Sequence, residues 1–205
     1  MDVTQFDPPL VAIMRGLTPE QAPAVGAALF AAGFRLLEVP LNRPGAIEAI
    51  GILARLAPAG ALVGGGTMLS VADVDAVHGA GGRLMVSPNC NPAVIRHARA
   101  LGMLCAPGVA TPTEAFAALD AGAQALKIFP AEMVGMAGLK ATKTVLPPGT
   151  PLWPVGGITP ESIAPWVAAG ATGFGLGSQL FAPGVTVEQL AERAQRYVAA
   201  WRASR

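Results

Sequence analysis

Two charged residues interrupt stretches that otherwise read as buried strands. Lys127 sits inside "AQALKIFPA" (123–131), and Glu38 sits inside "RLLEVPL" (35–41). Burying an ammonium group without a partner is costly, and desolvation lowers its pKa. A lysine that has shed its proton is a nucleophile, able to form an imine with a ketone. A carboxylate nearby can pass protons to and from the substrate. Each residue also has a plainer reading. Lys127 can run its stem along the core and put its charge at a rim. Glu38 can pair with an arginine such as Arg15 and close a hydrogen-bond network, a role compatible with proton transfer because a base needs an orienting partner.

Two glycine-rich turns could serve the same chemistry. "VGGIT" (155–159) and "GLGSQL" (175–180) each end an apolar run and open onto a following segment. Glycine turns at helix N-termini expose backbone N–H groups and make an anion site. Their plainer reading is a pair of tight turns with no ligand. In "GGGT" (64–67) the glycines allow close packing, while the Thr67 hydroxyl can reach outward. Lys140 and Lys143, the other two lysines, belong to a helical stretch and read as solvated.

Positioning these groups requires a repeating scaffold, and the chain has one. Short apolar runs such as "LLEVPL", "LMVSPN", "MLCAPGVA" and "ALKIFPA" follow glycine stops at "FAAGF", "HGAGG", "RALG" and "LDAGA"; a fifth stop, "VAAGA", precedes "TGFGLG". Glycine just past a helix is a common left-handed cap. "TPEQAPAVGAALF", "TPTEAFAALD" and "TPESIAPWV" open with Thr-Pro and then Glu, a helix-start pattern. Eight strands are expected, at 10–15, 35–40, 61–66, 83–88, 103–107, 124–129, 151–156 and 172–177. Apolar strands alternating with helices imply a parallel sheet covered by helices. Eight such units in a single domain over 1–205 read as an α/β fold of the (β/α)8 TIM-barrel type. An open doubly wound sheet has the same count and stays as the alternative. In the sixth unit, "EMVGMAGLKATKTVLPPG", three glycines suggest a long loop before "LKATKTVL".

In a barrel the chemistry sits at the carboxyl ends of the strands. The polar residues expected there are Arg15, Glu38, Thr67, Ser87, Asn89, Lys127 and Ser178, with Gly156 and Gly157.

Composition removes several classes. Of 205 residues, 52% are hydrophobic, 13% charged and 5% aromatic, and the net charge is +1 with no basic cluster, so nucleic-acid binding has little support. No apolar run approaches the roughly 18–20 residues that span a bilayer. "MDVTQFDPPL" carries two acids and no basic n-region, which reads as no signal peptide and a cytoplasmic address. Cys90 and Cys105 lack metal-type spacing and read as small core residues. His78 and His97 fall in helical stretches away from any acid cluster, so no metal site is expected.

With these positions in view, the chain resembles the KDPG/KHG aldolase family (2-keto-3-deoxy-6-phosphogluconate and related aldolases). The resemblance runs from "IMRG" (13–16) to "GLGSQL" and rests on "EVPLN", "GGGTM", "SPN", "KIFPAE", "VGGITPE" and "GLGS" in combination. It implies a class I aldolase on a (β/α)8 barrel, without metal or other cofactor, working as a homotrimer on a small phosphorylated keto-deoxy sugar acid. The family's Schiff-base lysine matches Lys127 and its proton-shuttling glutamate matches Glu38. Its substrate contacts match Arg15, Thr67, Pro88, Phe129, Gly156, Gly157 and Ser178. "EVPLN" and "VGGITPE" look more like the 6-phosphogalactonate (KDPGal) branch than the 6-phosphogluconate branch. The latter usually has arginine at the position of Asn42, and threonine at the position of Val155. Losing that hydroxyl removes one contact to an oxygen at C4, where the two substrates differ. Two other classes remain open at this point: a phosphosugar isomerase or epimerase, and a silent sugar-phosphate sensor on the same barrel.

Overall fold

The computed structural model describes residues 3–205. Parallel strands alternate with helices. In chain order the first half runs β1 (Leu10–Ile13), α1 (Ala22–Ala31), β2 (Leu36–Pro40), α2 (Ala46–Leu56), β3 (Leu62–Gly66), α3 (Val71–Gly79), β4 (Leu84–Val86) and α4 (Pro92–Ala100). The second half runs β5 (Leu104–Ala106), β6 (Gly108–Val109), α5 (Pro112–Asp120), β7 (Leu126–Ile128), α6 (Ala131–Lys143), β8 (Leu152–Pro154), α7 (Pro160–Ala169), β9 (Phe174–Leu176) and α8 (Val187–Ala203).

Two parallel sheets carry these strands, in the orders β5-β4-β3-β2-β1-β9 and β6-β7-β8. Backbone contacts join them into a ring. The Lys127 N–H donates to the Pro107 carbonyl at 2.9 Å and the Gln124 N–H to Cys105 at 3.1 Å. On the other side Val155 bridges Gly175 in parallel. β5 and β6 are two pieces of one strand, parted at Pro107, which has no N–H to offer a ladder. The expected eight staves are therefore present and the barrel is closed, which removes the open-sheet alternative.

Side chains alternate across each stave, since successive Cβ atoms point to opposite faces. On β2, Leu37 and Val39 pack outward under the helices, whereas Leu36 belongs to the cluster inside the barrel. Glu38 shares the inward face with Leu36. On β7, Leu126 and Ile128 pack outward while Ala125 is interior, so Lys127 also points in. Below them Val11, Leu84, Val86, Leu104, Ala106 and Trp153 fill the barrel, with Val3 and Phe6 of the N-terminal segment in the same cluster. One period-2 pattern thus gives a dry interior with two ionisable groups above it.

The five glycine stops all take positive φ, at Gly33, Gly81, Gly102, Gly122 and Gly170. Thr111 opens α5 with a reciprocal cap to Glu114, as its sequence suggests. Two expectations need correction. Thr18-Pro19-Glu20 forms a hydrogen-bonded turn, with the Ala22 N–H donating to Thr18 at 3.1 Å, and α1 begins only at Ala22. The long loop expected before "LKATKTVL" is instead helix. α6 starts directly after Pro130, where the Ala131 N–H is tied to the Val155 carbonyl at 2.9 Å. Gly135, at φ 67°, ψ 167°, breaks α6 into a first turn and a longer second piece.

Candidate active site

The nine residues matched through the family resemblance line one cavity of about 250 Å³: Arg15, Glu38, Thr67, Pro88, Lys127, Phe129, Gly156, Gly157 and Ser178. They come from seven staves or the loops just after them, and the strand that ends at each loop sets its height. A larger groove of about 560 Å³ lies at the opposite end of the barrel, near Pro9, Pro151 and Thr172. It holds no lysine, and its carboxylate, Asp7, is engaged by Trp201 at 3.0 Å and Arg205 at 3.3 Å. The smaller cavity is the one that brings the lysine and the buried glutamate together.

Lys127 and Glu38 stand on staves at opposite sides of the ring. Lys127 is 8% exposed and Glu38 1%. Burial lowers the Lys127 ammonium below its ordinary range, against the pull of Glu38, while the positive charge of Arg15 lowers it further. Burial raises the Glu38 carboxyl above its ordinary range, and the cations Lys127 and Arg15 oppose that shift. Both groups are pushed toward their neutral forms, because desolvation outweighs attraction for each. No direct ion pair joins them; among the described residues the Arg and Lys ion pairs are Arg196–Glu161 and Arg205–Asp7. Glu38 Oε2 is buried without a hydrogen-bond partner. An uncommitted acceptor in a dry site is expensive to keep. The Lys127 Nζ stands 4.7 Å from the centroid of the Phe129 ring, so Phe129 is a wall for the amine itself.

The rim is shaped by backbone geometry. Thr67 has φ 55°, a left-handed conformation in a β-branched residue. Such strain is rare outside functional sites. The buried Ser87 hydroxyl donates to the Asn89 carbonyl at 2.7 Å and fixes the turn that presents Pro88. Ser87 and Asn89 thus shape that turn and are not among the cavity's lining residues. Gly156 (φ 121°) and Gly157 (φ 61°) turn the chain from β8 toward the N-terminus of α7, where the Thr159 N–H donates to Ser162 Oγ at 3.0 Å. Ser178 and Gln179 follow β9 at the same rim.

One ionisable lining residue, Glu132, lies outside the expected set. Glu132 lies over the glycine turn: a Cβ on Gly156 would sit 2.2 Å from Glu132 Oε2, and one on Gly157 would sit 3.0 Å from Oε1. "KIFPAE" contained it, but the expected loop after it hid that a helical turn begins at Ala131. Two neighbours of Glu38 lie elsewhere. Asn42 is exposed, and Arg43 lines a separate surface groove with Pro44 and Asp73, so Arg43 supplies no charge to the cavity. Both histidines stay outside the site, although His97 is not isolated from acids: its Nε2 lies 2.6 Å from Asp75 Oδ1, where α3 and α4 run side by side. Among the described residues, no group of three or more His, Cys, Asp or Glu side chains is placed to share a metal ion. No helix among them is long and apolar enough to cross a membrane.

Known proteins are similar to this chain over nearly its whole length. The family model described as KDPG and KHG aldolase matches residues 5–195. A probable 2-dehydro-3-deoxy-6-phosphogalactonate aldolase of Rhizobium meliloti (strain 1021) is 47% identical over 193 residues, covering 94% of this chain and 91% of the relative. The 2-dehydro-3-deoxy-6-phosphogalactonate aldolase of Escherichia coli (strain K12) is 47% identical over 194 residues, covering 95% of each. A solved structure of native KDPGal superposes with a TM-score of 0.93 at 46% identity, covering 96% of this chain and 95% of that one. A closed barrel with an inward lysine and glutamate at one mouth, matched over nearly its whole length, makes this chain a member of the KDPG and KHG aldolase family.

Proposed function

We propose that this chain is a class I aldolase that cleaves 2-dehydro-3-deoxy-6-phosphogalactonate to pyruvate and glyceraldehyde 3-phosphate. One observation carries the reading: the lysine with the lowered pKa and the glutamate with the raised pKa open into the same cavity. Perturbed groups of opposite type at one mouth are what acid–base and covalent chemistry require.

The neutral Lys127 amine adds to the C2 ketone, and loss of water with uptake of one proton from solvent leaves a protonated imine; that proton is given back when hydrolysis restores the neutral amine. Glu38, directly or through a water, takes the proton of the C4 hydroxyl. The C3–C4 bond breaks; its electron pair moves into C3 and toward the iminium nitrogen, forming an enamine, and C4 leaves as the aldehyde carbon of glyceraldehyde 3-phosphate. Glu38 returns its proton to C3, and water releases pyruvate from Lys127. Arg15 and Thr67 hold the carboxylate end, while Pro88 and Phe129 wall the reacting carbons. Gly156, Gly157 and Ser178 receive the phosphate, whose remote binding helps orient the reacting centre. No metal or other cofactor enters these steps. We read the working form as a cytoplasmic homotrimer, as the family resemblance implies; exposed Leu69, Val71 and Phe116 supply apolar surface for an interface.

The galactonate branch is supported by relatives of that name at 47% identity and by Val155 in the cavity wall. A coupled lactate dehydrogenase assay on both C4 epimers tests it. The galactonate epimer is expected to win in kcat/KM by roughly tenfold or more, the scale of one lost polar contact. Cleavage is expected to survive EDTA. A preference for the gluconate epimer would overturn the branch assignment, and absence of pyruvate from either would overturn the aldolase reading.

A further inference from the structure

Three consecutive glycines end β3, and they face different obstacles. A Cβ on Gly64 would lie 1.8 Å from the backbone oxygen of Leu84. One on Gly65 would meet Met68 Sδ and Val77 Cγ2, each at 2.8 Å. Those two glycines serve packing between strands and against the outer layer. Gly66 is different. The three atoms nearest its missing Cβ are all from the Glu38 carboxyl group: Oε2 at 1.4 Å, Cδ at 2.5 Å and Oε1 at 3.0 Å.

Register explains the approach. Glu38 is paired with Gly64, and Gly66 lies two residues farther along β3, opposite Pro40. Residues two apart on a strand share a face. From β2 the Glu38 side chain therefore leans diagonally toward the barrel mouth, and its carboxyl group comes to rest where a side chain at 66 would stand. That seat holds a 1%-exposed carboxylate whose Oε2 has no hydrogen-bond partner. Without protein donors on Oε2, the shape of the seat has to hold the group. Gly66 is in ordinary strand conformation, so its backbone does not itself demand glycine.

We propose that Gly66 is a positioning residue for the aldol step: its missing side chain is the seat that aims the Glu38 carboxylate at the substrate. This rests on the reading of Glu38 as the proton shuttle. An alanine at 66 displaces the carboxyl group from the reacting atoms while leaving Lys127 in place. Small misplacements of a catalytic group cost on the order of 100-fold in rate.

A double-mutant cycle tests it. Gly66→Ala is expected to lower kcat by about 10²-fold with KM within about threefold, and to keep borohydride trapping of pyruvate at Lys127. Gly65→Ala, by contrast, is expected to lower Tm without that loss of kcat. In a Glu38→Ala background, adding Gly66→Ala is expected to change the residual kcat by less than about twofold, because the group it displaces is gone. A further tenfold loss there would overturn the proposal, as would Gly66→Ala with wild-type kcat. If Gly66→Ala alone does not fold, recovery of a folded protein by Gly66→Ala/Glu38→Ala supports the seat, and an unfolded double variant overturns it. Failure of the underlying reading shows separately: Glu38→Ala alone would then retain full cleavage.

Discussion

Lys127→Met is expected to abolish cleavage, with a loss of kcat of about 10⁴-fold or more, as when a covalent nucleophile is removed. Methionine keeps the length of the stem and its apolar contacts but cannot form an imine. The same substitution is expected to leave the fold intact. Burial lowers the folded-state pKa of Lys127 from 10.5. At any pH below that ordinary value the unfolded chain binds the proton more readily, so the buried amine costs stability there. Removing it does not lower Tm, and a melting curve beside the activity assay separates lost chemistry from lost structure. A variant retaining even a hundredth of the activity would contradict the covalent role.

Glu38→Gln is expected to lower kcat by roughly 10²- to 10⁴-fold, the range for a lost general acid–base group. Glutamine fits the same seat but accepts no proton from the C4 hydroxyl. Imine formation belongs to Lys127, so trapping of pyruvate is expected to persist. The pH profile adds a signed test. Catalysis needs the amine and the carboxyl both without protons, so each contributes a limb that rises with pH. The carboxyl limb lies above the ordinary 4.5, because burial raises Glu38. The amine limb lies below 10.5, because burial lowers Lys127. In Glu38→Gln the carboxyl limb vanishes. The amine limb moves to lower pH, because the negative charge that helped Lys127 keep its proton is gone. An amine limb that stays still, or moves up, would show that the two groups do not sense each other.

The parts legible in the sequence share a physical origin. A charge inside a short apolar run is a local signal, so "RLLEVPL" and "ALKIFP" single out Glu38 and Lys127 without knowledge of their neighbours. Glycine stops are equally local, since Gly33 through Gly170 need left-handed φ wherever the helices end. What stayed hidden depends on contacts between distant segments. Gly66 reads as one of three packing glycines until β2 and β3 are paired in register. Glu132 reads as part of a loop until Ala131 is tied to Val155. Arg43 follows Asn42 only five residues after Glu38, yet the turn after β2 carries it to a separate surface groove. Gly135 and Gly138 suggest a loop before "LKATKTVL", yet only Gly135 interrupts α6, with a positive φ.

The most direct test of the covalent chemistry is to incubate the protein with pyruvate, reduce with borohydride, and map the modified residue by mass spectrometry. A single adduct on Lys127, with the mass of pyruvate less one water plus two hydrogens, is the expected result. An adduct on Lys140, Lys143 or no lysine, while cleavage proceeds, would contradict it.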